Sequence, residues 1–276
     1  MTKLITGDCL EVLKKRRRNS VDLIVTSPPY SNLRRYGSSA PLFRDDWHWL
    51  DWCAARFMEC LRVSRGLVCF VVEGYTKNGT NHPLPEMLTV EVMRRGANIR
   101  HRGIYQRIGI PGGSPDELAQ HHEIIVRASE RPGRLPWSDP AALGHPPKFG
   151  VGGAMSHQTK DGRVSNLKRN GRHKPEQRRY AKPKLCKVSN VINCGAVGGG
   201  NLGSKLAHKN EAPFAERVPE VLIASYCPPG GIVLDPFCGS GTTGAAAVKL
   251  RRKFIGIDNR DSQIELTRQR LTEALQ

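Results

Sequence analysis

"GIVLDPFCGSGTTGAAAVKLRRKFIGID", residues 231–258, fits a strand, a glycine-rich turn, a helix and a second strand into one short stretch. Ile232, Val233 and Leu234 are the apolar residues that suit a buried pleated strand, and Phe254, Ile255 and Ile257 repeat the pattern. Between them a glycine-rich turn follows Asp235, and a helix begins near Gly241. Strands alternating with helices argue for a parallel sheet covered on both faces, so this stretch sets an α/β fold class. Gly239, Gly241 and Gly244 also satisfy G-x-G-x-x-G, a pattern shared by many nucleotide-binding turns. Its mechanics are general: glycines let the backbone approach a ligand, and a helix N-terminus favours a carboxylate or phosphate.

Two acids narrow the ligand. Asp235 ends the first strand and Asp258 ends the next, 23 residues later. That spacing suits an acid accepting hydrogen bonds from ribose hydroxyls. A nicotinamide dinucleotide fits, and so does S-adenosylmethionine. A P-loop does not, because no Gly-Lys-Ser/Thr follows the glycines. Asp235-Pro236-Phe237 separates the first two: an acid before the turn can hold a cationic amino group, and an exposed Phe can face an adenine ring. A pyrophosphate would be repelled there.

A second stretch, "VDLIVTSPPYSN" at 21–32, ends another core strand with Ser27, Pro28, Pro29 and Tyr30. Proline cannot donate to a sheet ladder, so the strand stops near Thr26. In open α/β sheets that carboxyl edge is where ligands bind.

Working outward, "LEVLKKR", "WHWLDWCAARFMECLRVS", "PEMLTVEVMRRG", "PFAERVPEVLIASY" and "SQIELTRQRLTEAL" read as helices, the second stopped by Gly66. "LVCFVV", "IRHRGIYQRI" and "HEIIVRA" read as strands. From about 131 to 200 the periodicity fails in a stretch rich in Gly, Pro, Asn, Lys and Arg, too long for an ordinary loop. The chain therefore divides into 1–130, an insertion at 131–200, and 201–276. The formal net charge is +18, and residues 141–210 hold 14 Lys and Arg against Asp161 and Glu176. Two thirds of the excess charge thus sits in a quarter of the chain, which attracts a polyanion such as nucleic acid. Eight cysteines make no C-x-x-C pair, so zinc is not expected and the thiols read as reduced and buried. No apolar run approaches the roughly 18 residues of a membrane span, so a cytoplasmic protein with no membrane partner is expected.

These residues resemble the S-adenosylmethionine-dependent DNA amino-methyltransferases. "TSPPY" is similar to their catalytic motif and "DPFCGSGTT" to their cofactor loop. "GDCLEVL" is similar to the segment lying against the cofactor adenine, "HKNEAPFAERVPEVLI" to the helix before the cofactor strand, and "FIGIDN" carries the ribose acid. The catalytic motif precedes the cofactor loop, the order of the family's beta group. The match covers 1–130 and 190–276, and Ala215 departs from it, standing where the family usually has a proline.

The resemblance implies a Rossmann-like methyltransferase fold with a mainly parallel seven-stranded sheet. The segment 1–130 becomes its catalytic half, 131–200 a target-recognition insertion, and 201–276 its cofactor-binding half. Ser27, Pro28, Pro29 and Tyr30 become the catalytic residues. Asp8, Cys9, Phe214, Asp235, Pro236, Phe237, Gly239, Ser240, Gly241, Thr242, Asp258 and Asn259 become the pocket for S-adenosylmethionine. Charge within the insertion nominates Arg169, Arg172, Lys174, Arg178, Arg179, Lys182 and Lys184 as contacts to double-stranded DNA. The expected reaction is methylation of the exocyclic N4 of a flipped cytosine, with N6 of adenine as the alternative and an RNA methyltransferase less favoured. Carbon-5 methylation needs a nucleophilic cysteine, usually after proline, and the chain has no Pro-Cys pair. A cognate restriction endonuclease and the choice between monomer and homodimer stay open.

Overall fold

The computed structural model describes residues 2–31, 43–108, 118–147, 156–158, 164–166, 183–196, 201–210 and 212–276. They form two compact units. One comprises Met1–Pro140 with Ser189–Gln276, and the other Ala141–Val188.

The larger unit is built on β1 (Thr2–Thr6), β2 (Val21–Thr26), β3 (Ser64–Val72), β6 (Asn98–Ile99), β7 (Gly103–Ile108), β8 (His122–Ser129), β11 (Val191–Ala196), β12 (Ile232–Asp235) and β13 (Lys253–Asp258). A small hairpin of β4 (Tyr75–Lys77) and β5 (Thr80–His82) lies between β3 and the helix that follows. The helices are α1 (Cys9–Lys14), α2 (Asp46–Val63), α3 (Leu84–Arg94), α4 (Arg217–Tyr226), α5 (Thr242–Lys249) and α6 (Asp261–Leu275). In the smaller unit β9 (Ser156–Gln158) pairs with β10 (Val164–Asn166) as an antiparallel hairpin.

The main sheet runs β1-β13-β12-β2-β3-β8-β7-β11, with β6 added to β8. Every pair from β1 to β3 is parallel. β8 runs antiparallel to both β3 and β7, and β11 is again parallel to β7. Among the described residues the sheet therefore has nine strands, where the resemblance implies seven. The element from Val191 corrects the insertion boundary at 200: β11 pairs along β7 and belongs to the main sheet, so the second unit closes at Val188. Its run "VINCGA" is short and follows a loop-rich stretch, which hides a strand whose partner lies over 80 residues away.

Helix α2 shows how the layers pack. Asp45 caps its start by accepting from the His48 amide at 2.7 Å, and Trp49, Cys53, Phe57 and Cys60 place a fully buried stripe against the sheet. The helix ends at Val63, not at Gly66. Gly66 lies inside β3, where a Cβ would collide with the Asp22 carbonyl of β2, so close strand approach and not helix termination requires the glycine.

The topology also locates a crevice. From β2 the chain crosses through α2 to β3, and from the adjacent β12 it crosses through α5 the other way to β13. The connections part at the carboxyl ends of β2 and β12, a topological switch point of the kind where open α/β sheets bind ligands.

Candidate active site

The loops after β1, β2, β12 and β13 all emerge at that edge and surround one cleft of about 830 Å³, its open mouth included. Ser27, Pro28, Pro29 and Tyr30 line one side. Asp8, Cys9, Phe214, Pro236 and Phe237 face the same space. Gly239, Thr242, Asp258 and Asn259 complete the cofactor side. Three expected residues do not reach the surface: Asp235, Ser240 and Gly241 are buried and form the layer beneath.

Asp235 is only 1% exposed. It accepts from Thr26 Oγ1 at 2.5 Å and from the Phe237 amide at 3.0 Å, joining the end of β2 to the turn after β12. This places it as a brace under the floor and not as a wall that meets a ligand's amino group. Burial pushes its carboxyl up from 3.8 to about 6, while hydrogen bonds from Thr26, Thr243 and Phe237 pull it down. The native state thus favours the protonated acid. The cost of ionising it is absent below about pH 4 and complete above about pH 6, where two pKa units correspond to about 3 kcal/mol. Asp235→Asn, which keeps an acceptor for Thr26, is expected to melt above wild type at pH 8, the gain vanishing near pH 4. An equal gain at both pH values, read by thermal unfolding of the ligand-free protein, would remove this account.

Asp258 stands at the end of β13. Its Oδ2 accepts from the Gly239 amide at 3.1 Å and its Oδ1 from the Arg260 amide at 3.0 Å. Burial raises its pKa, and the amide and Arg260 contacts oppose the rise. Gly241 supplies the turn: its φ of +80° is left-handed, and a Cβ there would stand 2.9 Å from Thr267 Cγ2. A carboxylate tethered to the glycine turn and facing the cleft matches a ribose diol. The aromatic rings of Phe214 and Phe237 beside it match a base. The residues present therefore fit an adenosyl group.

Several members of this wall were not singled out from sequence. Trp52 of α2 stacks on Phe237 at 5.5 Å, and the Arg56 guanidinium lies 3.9 Å from the Trp52 ring centroid. Arg56 Nη2 donates to Asp8 Oδ2 at 2.8 Å, while Asp8 Oδ1 caps α1 through the Leu10 amide at 2.8 Å. Burial acts to raise the Asp8 pKa, but Arg56 and the capping amides outweigh it and hold the carboxyl below its ordinary range. Trp52 and Arg56 are four residues apart on one helix, which reads as packing until the turn after β12 arrives beside them. Burial pushes the Cys9 thiol up to about 12.

The Ser-Pro-Pro-Tyr loop is anchored from α2. Trp49 Nε1 donates to the Pro29 carbonyl at 2.7 Å, and Ser31 Oγ donates to Asp46 Oδ1 at 2.8 Å. Ser27 Oγ donates to Tyr30 Oη at 3.1 Å, and Tyr30 Oη donates to Glu123 Oε2 at 2.8 Å. Of the basic residues nominated in the insertion, Lys184 is exposed in the smaller unit. Arg169, Arg172, Lys174, Arg178, Arg179 and Lys182 lie outside the described residues. Among the described residues no helix is long and apolar enough to cross a membrane.

A glycine turn on one strand, a carboxylate ending the next and a proline-stiffened Ser-Pro-Pro-Tyr loop on the third define a nucleoside-binding cleft at the carboxyl edge of an α/β sheet. The N6/N4 DNA methylase family model matches residues 21–269, and the chain belongs to that family of S-adenosylmethionine-dependent DNA amino-methyltransferases. It is 26% identical over 271 residues to the orphan methyltransferase M.BamHII of Bacillus amyloliquefaciens, covering 96% of this chain and 90% of that one. It is 25% identical over 272 residues to the DNA adenine methyltransferase YhdJ of Escherichia coli, covering 98% and 83%. In structure it is similar to the PvuII DNA methyltransferase, described as cytosine-N4-specific, with a TM-score of 0.66, 17% identity and coverage of 98% and 87%. Other solved neighbours of this fold are complexes with S-adenosylmethionine.

Proposed function

We propose that this DNA methyltransferase acts on the exocyclic N4 of a cytosine drawn out of duplex DNA, with Ser27, Pro28 and Tyr30 as the residues that meet the base. The observation carrying this reading is the Ser27 hydroxyl, held at the cleft wall 3.1 Å from Tyr30 Oη. An exocyclic amine is a poor nucleophile because its lone pair is delocalised into the ring. Acceptors placed for its two N–H groups, Ser27 Oγ and the Pro28 carbonyl, turn the nitrogen lone pair out of the ring plane and toward the cofactor. When bound, S-adenosylmethionine supplies an electrophilic methyl group. Methylation would leave the amine nitrogen cationic, and one of its two protons, held by Ser27 Oγ and the Pro28 carbonyl, would pass to water at the open mouth of the cleft. Pro28 and Pro29 stiffen the loop, so the acceptors are fixed before the base arrives. Flipping costs roughly a few kcal/mol, and stacking on Tyr30 returns about 1–3 kcal/mol.

On the cofactor side we assign Asp258 to the ribose hydroxyls and Asp8, Phe214 and Phe237 to the adenine. Asp258→Ala removes a charged acceptor worth about 1.5–3 kcal/mol. The dissociation constant for S-adenosylmethionine is therefore expected to rise by about 10–150-fold, as read by calorimetry. Unchanged affinity would remove the assignment. The insertion, with its excess of Lys and Arg, is assigned to recognition of DNA.

Cytosine is favoured because Ser27 with Pro-Pro-Tyr resembles the cytosine-type motif, and PvuII methyltransferase is a neighbour of that specificity. Adenine N6 is the second reading, favoured by the similarity to the adenine enzyme YhdJ. A hydroxyl can bond either amine. Digesting DNA methylated by the pure enzyme and separating its nucleosides decides the base. N4-methylcytosine is expected, and N6-methyladenine alone would overturn the base while leaving the loop chemistry intact.

A further inference from the structure

We propose that Glu123 is a positioning residue for methyl transfer: through Tyr30 it sets the direction of the Ser27 hydroxyl, so that Ser27 presents only lone pairs to the target amine. The inference rests on Ser27 acting as the amine acceptor. A serine hydroxyl carries one hydrogen and two lone pairs, and a tyrosine hydroxyl also has one hydrogen to give. The Ser27–Tyr30 contact of 3.1 Å can therefore be made in two senses. If Tyr30 donated, the Ser27 hydrogen would be left to point at an incoming N–H, donor against donor. If Ser27 donates, its remaining lone pairs face the cleft.

Glu123 decides between the two. Ionised carboxylates only accept, so the single hydrogen of Tyr30 is committed to Glu123 Oε2 at 2.8 Å. The contact with Ser27 must then be supplied by the serine. Arg107 keeps Glu123 in that state. Arg107 Nε lies 3.1 Å from its Oε1, and Arg107 also pairs with Glu73. The group is 6% exposed, and burial by itself would favour the protonated acid, so the ionised form rests on this pairing with Arg107.

The device is built by the sheet. Glu123 lies on β8, directly opposite Tyr105 of β7, and β8 is separated from β2 by β3 alone. The side chain thus reaches the catalytic loop from two strands away, about 10 Å at ordinary strand spacing. It gives a serine the pure acceptor character that an aspartate at the same place would have unaided. Tyr30 consequently has two separable roles: its ring faces the base and its hydroxyl passes on the polarity set by Glu123.

The test compares Tyr30→Phe, Glu123→Gln and their combination with Ser27→Ala in the full-length protein. Single-turnover methylation, KM for DNA and calorimetric affinity for S-adenosylmethionine are measured for each. Tyr30→Phe keeps the ring and loses only the relay. Its single-turnover rate is expected to fall about 10–100-fold, the scale for misplacing or losing a preorganised polar group. KM for DNA and cofactor affinity are expected to stay within about twofold. Glu123→Gln should show the same split, and the double variant should be no slower than Tyr30→Phe alone, because both act on one contact. A wild-type rate in Tyr30→Phe, additive losses in the double variant, or a loss confined to KM would each overturn the relay. Thermal unfolding checks that Glu123→Gln keeps its fold, and should it not, Tyr30→Phe decides alone. Ser27→Ala separates the two layers of the argument. Wild-type turnover there refutes the acceptor role of Ser27 itself, whereas a slow Ser27→Ala beside a fast Tyr30→Phe refutes only Glu123.

Discussion

Replacing Ser27 by alanine is expected to slow methyl transfer by about 10²–10³, the range seen when one preorganised polar group is removed from a reaction centre. The magnitude follows from the position of the hydroxyl. Its loop is clamped by Trp49 and Asp46 of α2, which hold the hydroxyl at one place on the cleft wall. The cofactor side of the cleft, built on Asp258, Gly239 and Phe237, does not depend on Ser27. Affinity for S-adenosylmethionine should accordingly stay near wild type while turnover collapses. Single-turnover assays with labelled methyl donor, paired with calorimetry, read both quantities. Wild-type turnover would sink the site, and a loss of cofactor affinity equal to the loss of rate would mark a folding defect.

Neutralising Arg178, Arg179, Lys182 and Lys184 together is expected to change the salt dependence of DNA binding. Each phosphate contact contributes a log–log slope of about −0.9. Four contacts correspond to about −3.6, so wild type should lose about 10² more affinity than the variant between 50 and 200 mM salt. Composition sets this expectation: 14 of the 43 Lys and Arg fall in residues 141–210, with only two acids among them. Fluorescence anisotropy across a salt series measures the slope directly. An unaltered slope would move the DNA surface away from these four side chains.

Most of the cleft wall was legible because its chemistry is local. "DPFCGSGTT" and "TSPPY" each combine a strand end, a forced turn and the polar residue that the turn exposes, all within a few positions. Gly66 was misread for the opposite reason. Its meaning depends on Asp22, 44 residues earlier in sequence but in the adjacent strand. β11 was missed because a six-residue run after a loop-rich segment carries little periodic signal until β7 is beside it.

The sequence by itself determined the α/β class, the two motifs, their order along the chain and the concentration of positive charge. These follow from residue type and short-range spacing, since strand propensity, proline and glycine act within a few bonds. Only the tertiary structure decided that Asp235 braces the floor while Asp258 faces the cleft, although both acids end parallel strands in the same way. The difference lies in the neighbour: Thr26 of β2 covers Asp235, and the sheet order puts β2 beside β12 and not beside β13. Only the fold, likewise, brought Glu123 to Tyr30 across 93 residues, because an antiparallel β8 had to lie two places from β2. A hydrogen-bond direction is settled by whichever acceptor stands next in space, and no local pattern records that.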